Sequence, residues 1–231
     1  YQKVVLVQAN FSDVASIASA HGLTPVDGLL FDLGVSSRQL DTPRRGFSFR
    51  YEATPDMRFG TDGQTTASQI VNGYSEREIE AIIREFGEEP RARSIARAIV
   101  MRRPIESTTQ LASVIAGTLG RPAKRRIHPA TRTFQALRIA VNSELDSLRL
   151  GLEAAIRILR PGGRLVVISY HSLEDRLVKD LIRREASTCI CPPSIPLCIC
   201  GHERSLRLIN RHVITPSEEE TRSNPRARSA K

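Results

Sequence analysis

The sequence contains no tryptophan, and aromatic residues make up only 5% of its 231 residues. Many proteins that bind single-stranded nucleic acid stack bases on aromatic side chains, so we do not expect a platform of that kind. Long apolar runs are also missing, since a membrane-spanning helix needs ~18 consecutive apolar residues. The apolar stretch from Val4 to Val7 is too short for a secretory signal. These absences predict a cytoplasmic protein without a membrane partner.

Cysteine is scarce, and its four copies form two Cys-x-Cys pairs: Cys189 with Cys191, and Cys198 with Cys200. Structural zinc sites usually space paired cysteines by two to four residues, so these pairs are tighter than usual. Prolines between the pairs restrict the chain further. We therefore predict a proline-rich loop with reduced cysteines and no metal. A zinc site and, in a cytosolic setting, a disulfide remain alternatives.

Acidic residues are outnumbered, because 34 Lys and Arg face 25 Asp and Glu and leave a formal net charge of +9. Such an excess favours a polyanionic partner, most often nucleic acid. Arginine greatly outnumbers lysine, which suits bidentate contacts with phosphate. The alternative is a basic protein with no such partner.

Apolar periodicity predicts an α/β protein. Strands are expected over residues 1–8, 26–31, 164–170 and 206–214. Helices are expected over 12–21, 66–72, 75–87, 91–102, 108–119, 133–159 and from 171 onward. The first strand, helix and strand together are typical of a βαβ unit. Because the segment from 45 to 133 has no strand pattern, we predict that it is a helical subdomain inserted into an α/β domain of residues 1–44 and 134–216. Residues 217–231 read as a solvated polar tail.

Small polar residues follow two of the predicted strands. Asp32 ends the first run and Ser36 follows it, while the second run leads into Ser169 and Glu174. Ligands of open α/β sheets bind beyond the carboxyl ends of the strands, so both segments would line one crevice if they belong to one parallel sheet. The alternative for the first segment is a strand-to-helix turn with a serine cap.

Seven stretches of the chain together resemble the bacterial ribosomal RNA small subunit methyltransferase H family. They are Asp27–Asp41, Arg45–Phe49, Asp56–Arg58, Ala96–Ile99, His128–Asn142, Pro161–Asp175 and Asn224–Lys231. The resemblance covers nearly the whole chain. It implies a Rossmann-like, class I S-adenosylmethionine-dependent methyltransferase that methylates N4 of a cytidine in 16S rRNA, at the decoding centre of the small ribosomal subunit.

Carried over by position, the cofactor contacts of that family fall on Phe11, Asp32 and Gln39. An aromatic ring can pack on adenine, a carboxylate can hold an amine, and an amide offers both a donor and an acceptor. Core packing is the alternative for Phe11. Asp32 and Ser36 are the candidates for accepting hydrogen bonds from the target amine.

The same resemblance suggests a set of cationic RNA-binding residues. They follow the first strand end, or they lie in the inserted segment and in the helix after it. They are Arg44, Arg45, Lys124, Arg125, Arg126, Arg132 and Arg138. For each single arginine, the alternative is a solvated helix face. His171 at the second strand end is a further candidate, with a purely structural role as the alternative.

The family pattern also includes a Gly-rich loop after an earlier strand, and no such segment precedes Tyr1. We therefore expect an N-terminally incomplete sheet with an exposed apolar edge, which invites pairing with a second copy as a homodimer. The alternative function is that of a non-catalytic RNA-binding fragment.

Overall fold

The computed structural model describes residues 4–60, 65–120, 128–192, 194–195, 197–210 and 212–231. The predicted phosphate contacts of Lys124, Arg125 and Arg126 lie outside these residues. In chain order, the elements are α1 Val14–Ala20, β1 Val26–Asp32, α2 Ser37–Asp41, α3 Ala67–Gly73, α4 Glu76–Gly87, α5 Ala92–Met101, α6 Thr108–Leu119, α7 Thr131–Asn142, α8 Glu144–Ile158, β2 Leu159–Ile168, α9 Ser172–Ala186 and α10 Glu218–Ser223. Among the described residues, no helix combines the length and apolarity that crossing a membrane would require.

The residues divide into two compact units, Tyr1–Gly34 with Leu145–Lys231, and Val35–Glu144. The first unit contains a parallel sheet of β1 and β2, in which Gly28 pairs with Arg164 and Asp32 with Ile168. The chain is therefore a mixed α/β protein. The division falls at Val35 and Glu144, whereas the sequence placed the inserted segment at 45–133.

The predicted strand over residues 1–8 is wrong for its described part. Residues 4–8 have no regular structure, and Leu6 is 93% exposed. The βαβ unit expected at the start of the chain is therefore absent from the described residues, and β1 pairs instead with β2, far along the sequence. Apolar alternation favours a strand, but a strand forms only where a partner supplies hydrogen bonds.

Helix packing buries one face of the sheet. Phe31 and Leu33 pack with Leu148 and Leu152 of α8 in one apolar cluster. The neighbouring side chain of Leu30 is 65% exposed, because successive residues of a strand point to opposite faces.

The second strand begins earlier than expected. Residues Pro161–Gly163 were predicted to separate a helix from a strand, but they lie inside β2 as an irregularity. Val26 pairs with Leu159 and Gly28 with Arg164, so one residue of β1 stands opposite four residues of β2. Gly162, with φ of +81°, allows this bulge.

Helices form the second unit, and capping explains where several of them begin. Thr66 and Ser75 cap α3 and α4 through reciprocal bonds with Gln69 and Glu78. The apolar faces of these two helices and of α5, α6 and α7 pack into one buried core, which includes Ile83. The helices predicted over 66–72, 75–87, 91–102 and 108–119 are confirmed to within one residue at each end.

A loop of the second unit is fixed by buried polar contacts. Asn142 of α7 accepts from the Phe59 amide at 2.7 Å and donates to the Met57 carbonyl at 2.8 Å. Asp56 accepts from the Arg58 guanidinium at 2.8 Å, and this hydrogen bond holds the pKa of Asp56 below its ordinary value. The Asp56–Arg58 motif therefore anchors Met57, which is fully buried.

The single helix predicted over residues 133–159 is two helices. Ser143 lies between them with φ of +47°, a left-handed conformation that ends α7. Glu144 begins α8 and pairs with Arg138 of α7. Periodicity cannot reveal this break, because the apolar spacing continues across it.

The predicted strand over 206–214 is also wrong, since the described residues there have no regular structure and Ile209 is 65% exposed.

The segment predicted to be a solvated polar tail contains ordered structure and is mostly exposed. Residues 217–231 contain α10 and a short 3-10 helix, Pro225–Ser229, and Ala227 is buried. Lys231 and Ser169 exchange two backbone hydrogen bonds of 2.9 and 3.0 Å. The end of this segment is thus docked beside the end of β2.

Candidate functional site

The two polar strand ends meet at one edge of the sheet. Because β1 and β2 run parallel, Asp32 and Ile168 end them side by side, and the Leu33 amide donates to the Ile168 carbonyl at 3.0 Å. The two strand ends thus meet the condition stated from the sequence, that they belong to one parallel sheet. This edge is where open α/β sheets bind ligands.

Asp32 is exposed and has one strong partner, Tyr170, whose hydroxyl donates to Asp32 Oδ1 at 2.9 Å. Burial raises the pKa of Tyr170 above its ordinary value, and the hydrogen bond to Asp32 adds to that shift. The phenol therefore stays protonated at neutral pH and keeps donating. The second oxygen, Oδ2, makes no hydrogen bond within the described part of the chain. Sequence reasoning missed Tyr170, although its place just after the strand was a usable signal.

His171 is a capping residue. It begins α9 as its N-cap, with Nδ1 accepting from the Glu174 amide at 3.4 Å, while the Glu174 carboxylate accepts from the Tyr170 amide at 2.8 Å. Only 10% of the His171 side chain is exposed, and Glu174 is buried. This geometry favours the structural alternative over a phosphate contact. Glu174, which the sequence placed in the polar segment after the strand without a specific role, fixes the turn that carries Tyr170.

Phe11 lies in a 3-10 helix, Phe11–Asp13, in the same unit. Its ring meets Phe31 edge-on, with centroids 5.8 Å apart, and packs against Gly151 of α8. The residue remains 39% exposed, so packing and ligand contact are compatible.

Ser36 and Gln39 belong to the second unit and form the capping box of α2. Ser36 Oγ accepts from the Gln39 amide at 3.2 Å, and Gln39 Oε1 accepts from the Ser36 amide at 2.9 Å. The serine-cap alternative is therefore correct locally. The Gln39 side-chain nitrogen has no hydrogen bond to any described residue and can still donate to a ligand.

Two of the predicted RNA-binding arginines are partly buried by their intramolecular partners. Arg45 donates to the carbonyls of Arg58 and Phe59 at 2.7 and 2.9 Å, and Arg138 makes a bidentate pair with Glu144 at 2.7 and 2.9 Å. Both are partly buried, and Glu144 neutralises the charge of Arg138. These contacts hold the second unit together.

Arg44 and Arg132 remain accessible. Arg44 is exposed, and Arg132 is 54% exposed while donating to the Glu88 carbonyl at 3.1 Å. Of the predicted phosphate contacts within the described residues, these two keep their charge nearest to solvent.

The four cysteines converge after α9. All are free thiols, and their sulfur atoms lie within 4.8 Å of one another. The spacing of the cysteines predicted a loop without a metal centre. It did not predict that the four sulfur atoms lie close together.

Comparison with known proteins relates the whole chain to one family. Residues 1–231 match the model of the MraW methylase family. The chain is 55% identical over 225 residues to a "Ribosomal RNA small subunit methyltransferase H" of Thermomicrobium roseum, covering 96% of this chain and 69% of that protein. Proteins of the same name are 55% identical in Dehalococcoides mccartyi, over 99% of this chain and 65% of theirs, and 50% identical in Caldicellulosiruptor bescii, over 100% and 76%. The chain thus spans about two thirds to three quarters of these relatives, and it belongs to the MraW methylase family.

Proposed function

We propose that the protein methylates N4 of a cytidine in 16S rRNA, at the decoding centre of the small ribosomal subunit, with S-adenosylmethionine as methyl donor and in the cytoplasm. The observation that carries the proposal is the exposed carboxylate of Asp32 at the shared end of two parallel strands, in a chain of this family. The names of the relatives support an rRNA substrate.

The three residues carried over from the family each have chemistry that suits the methyl donor. Phe11 offers a half-exposed ring for adenine, Asp32 offers a carboxylate oxygen for an amine, and Gln39 offers a spare amide donor. Gly34 follows β1 with φ of +86°, a conformation that suits close approach of backbone to a ligand. When bound, S-adenosylmethionine would supply an electrophilic methyl group.

Asp32 is the better of the two candidates for accepting hydrogen bonds from the target amine. Its Oδ2 remains available, whereas Ser36 Oγ already accepts the Gln39 amide of its own helix. An acceptor on the amine hydrogens orients the nitrogen and helps it lose a proton. Tyr170 would act as a positioning residue by holding Oδ1.

Exposed cations support the RNA partner. Arg44 and Arg132, together with the overall charge of +9, suit phosphate contacts. We propose that the segment 45–133 recognises the substrate. We also propose that the sheet is Rossmann-like and that the protein forms a homodimer. Nothing among the described residues favours the alternative of a non-catalytic RNA-binding fragment.

The test compares two carboxylates of the same strand. Asp32→Asn is expected to weaken S-adenosylmethionine binding, measured by calorimetry, by roughly tenfold or more. It should also abolish formation of N4-methylcytidine in small subunits that lack this modification, measured by mass spectrometry of nuclease digests. Asp27→Asn is the control, because Asp27 is exposed at the other end of β1 and forms a surface ion pair with Arg160. Equal activity of both variants would contradict the proposal.

A further inference from the structure

The segment after α9 brings four thiols together at the molecular surface. Cys198 Sγ and Cys200 Sγ are 3.5 Å apart, Cys200 Sγ and Cys189 Sγ are 3.9 Å apart, and with Cys191 all four lie within 4.8 Å of one another. Two Cys-x-Cys pairs from opposite ends of a loop thus supply two sulfurs each.

These separations suit a tetrahedral metal centre. With zinc–sulfur bonds of about 2.3 Å, the four sulfurs of a tetrahedral site lie roughly 3.8 Å apart. A disulfide requires sulfurs at about 2.05 Å, well below the 3.5 Å between Cys198 and Cys200. The group therefore fits one shared ion better than two covalent bridges.

Backbone amides donate to two of the four sulfurs. The Cys191 amide donates to Cys189 Sγ at 3.4 Å, and the Ile199 amide donates to Cys191 Sγ at 3.4 Å. Such N–H donors orient metal-bound thiolates and stabilise their negative charge. The first of these bonds lies within one Cys-x-Cys pair, and the second joins the two ends of the loop.

The chain that leaves the loop is fixed to α9. His202 Nε2 donates to the Arg184 carbonyl at 2.9 Å, and the amides of Ser205 and Leu206 donate to the Glu185 carbonyl at 3.0 and 3.1 Å. A cross-link between Cys189 and Cys200 would close the loop between these anchored ends, a constraint that stabilises a fold.

We propose that Cys189, Cys191, Cys198 and Cys200 bind one Zn²⁺ as a structural four-thiolate site. On binding, the four thiols release their protons to solvent and four zinc–sulfur bonds form, without a change of oxidation state. The site is independent of methyl transfer, because it concerns the fold of residues 187–206.

The experiment measures metal on the full chain, produced in zinc-supplemented medium and purified without chelator. We expect about one zinc per chain by inductively coupled plasma mass spectrometry. The variant Cys189→Ser/Cys200→Ser should lose it, whereas Ser194→Ala, in the same loop, should retain it. Far-UV circular dichroism of each variant checks that the rest of the chain is folded.

A second measurement needs no variant. The metal-free wild-type chain is titrated with Co²⁺, which should give the intense visible and near-ultraviolet absorption of tetrahedral thiolate ligation and be displaced by Zn²⁺. Three results would overturn the proposal: less than about half an equivalent of zinc with four thiols open to a thiol reagent, iron in place of zinc, or full zinc in the double cysteine variant.

Discussion

Tyr170 is the residue whose loss should report most directly on Asp32. Tyr170→Phe removes the hydroxyl that donates to Oδ1 at 2.9 Å but keeps the ring. We expect S-adenosylmethionine affinity to fall about fivefold, which corresponds to about 1 kcal/mol for one hydrogen bond. The urea midpoint should stay unchanged, because the contact lies at an exposed carboxylate. Calorimetry and unfolding curves measure the two effects, and a loss of stability without a loss of affinity would contradict a positioning role.

Substitution of Gly151 in α8 tests whether helix propensity or close packing has the larger effect on stability. An added Cβ would lie 2.8 Å from the Phe11 ring and 3.1 Å from the Phe11 carbonyl, whereas at Gly117 of α6 it would meet nothing within 4 Å. Gly117→Ala should therefore raise the free energy of unfolding by about 0.5–1 kcal/mol through helix propensity.

Gly151→Ala should instead lower it by about 1–2 kcal/mol, because overpacking exceeds the propensity gain, and should weaken the cofactor contact proposed for Phe11. Urea unfolding of both variants provides the comparison. Stabilisation by both substitutions would show that Phe11 moves aside freely.

Among the elements, the docked C-terminal segment offers the clearest test. Deleting residues 224–231 removes the two backbone bonds between Lys231 and Ser169 and the buried side chain of Ala227. We expect a loss of about 1–3 kcal/mol in the free energy of unfolding. Lys231→Ala removes only an ion pair with Asp175, 3.1 Å long and partly exposed, and should cost less than about 0.5 kcal/mol. Equal losses of stability from both changes would mean that the Lys231 side chain, and not the backbone contacts, holds the segment in place.

Elements that depend on local chemistry could be predicted from the sequence. The capping boxes at Ser75 and Ser36 and the apolar face of α4 are encoded within about one helical turn of each start. The strands predicted over 1–8 and 206–214 were wrong because an alternating apolar pattern alone supplies no partner for hydrogen bonding. The break at Ser143 and the docked tail depend on tertiary contacts that no sequence window contains.

The candidate site also contains some features that the sequence predicts and others that it does not. Asp32 could be predicted, because the order of parallel strands dictates where their polar ends meet. The hydroxyl of Tyr170, the Glu144 partner of Arg138 and the convergence of the cysteines could not, since each joins residues through the folded chain. For a cation, the number of intramolecular acceptors decides whether its charge is available to a ligand, and only the structure gives that number.

For the whole molecule, the net charge of +9 predicts that binding to 16S rRNA weakens steeply with salt. Each phosphate contact adds roughly 0.7–0.9 to the slope of log affinity against log salt, with the larger value for duplex and the smaller for single strands. Removing a cation that contacts phosphate should therefore lower the slope by about that amount. Removing a mostly buried cation that an internal carboxylate neutralises should leave the slope unchanged and lower stability.

Arg44 and Arg138 form the matched pair for this test. Arg44 is exposed, so Arg44→Ala should reduce the slope by about one and leave the unfolding curve unchanged. Arg138 is 15% exposed and neutralised by Glu144, so Arg138→Ala should leave the slope intact and cost about 3 kcal/mol, because Glu144 stays buried without its partner. Filter binding to small-subunit rRNA over a salt series, with urea unfolding in parallel, measures both. The opposite pattern would mean that Arg138 exchanges Glu144 for phosphate when RNA binds.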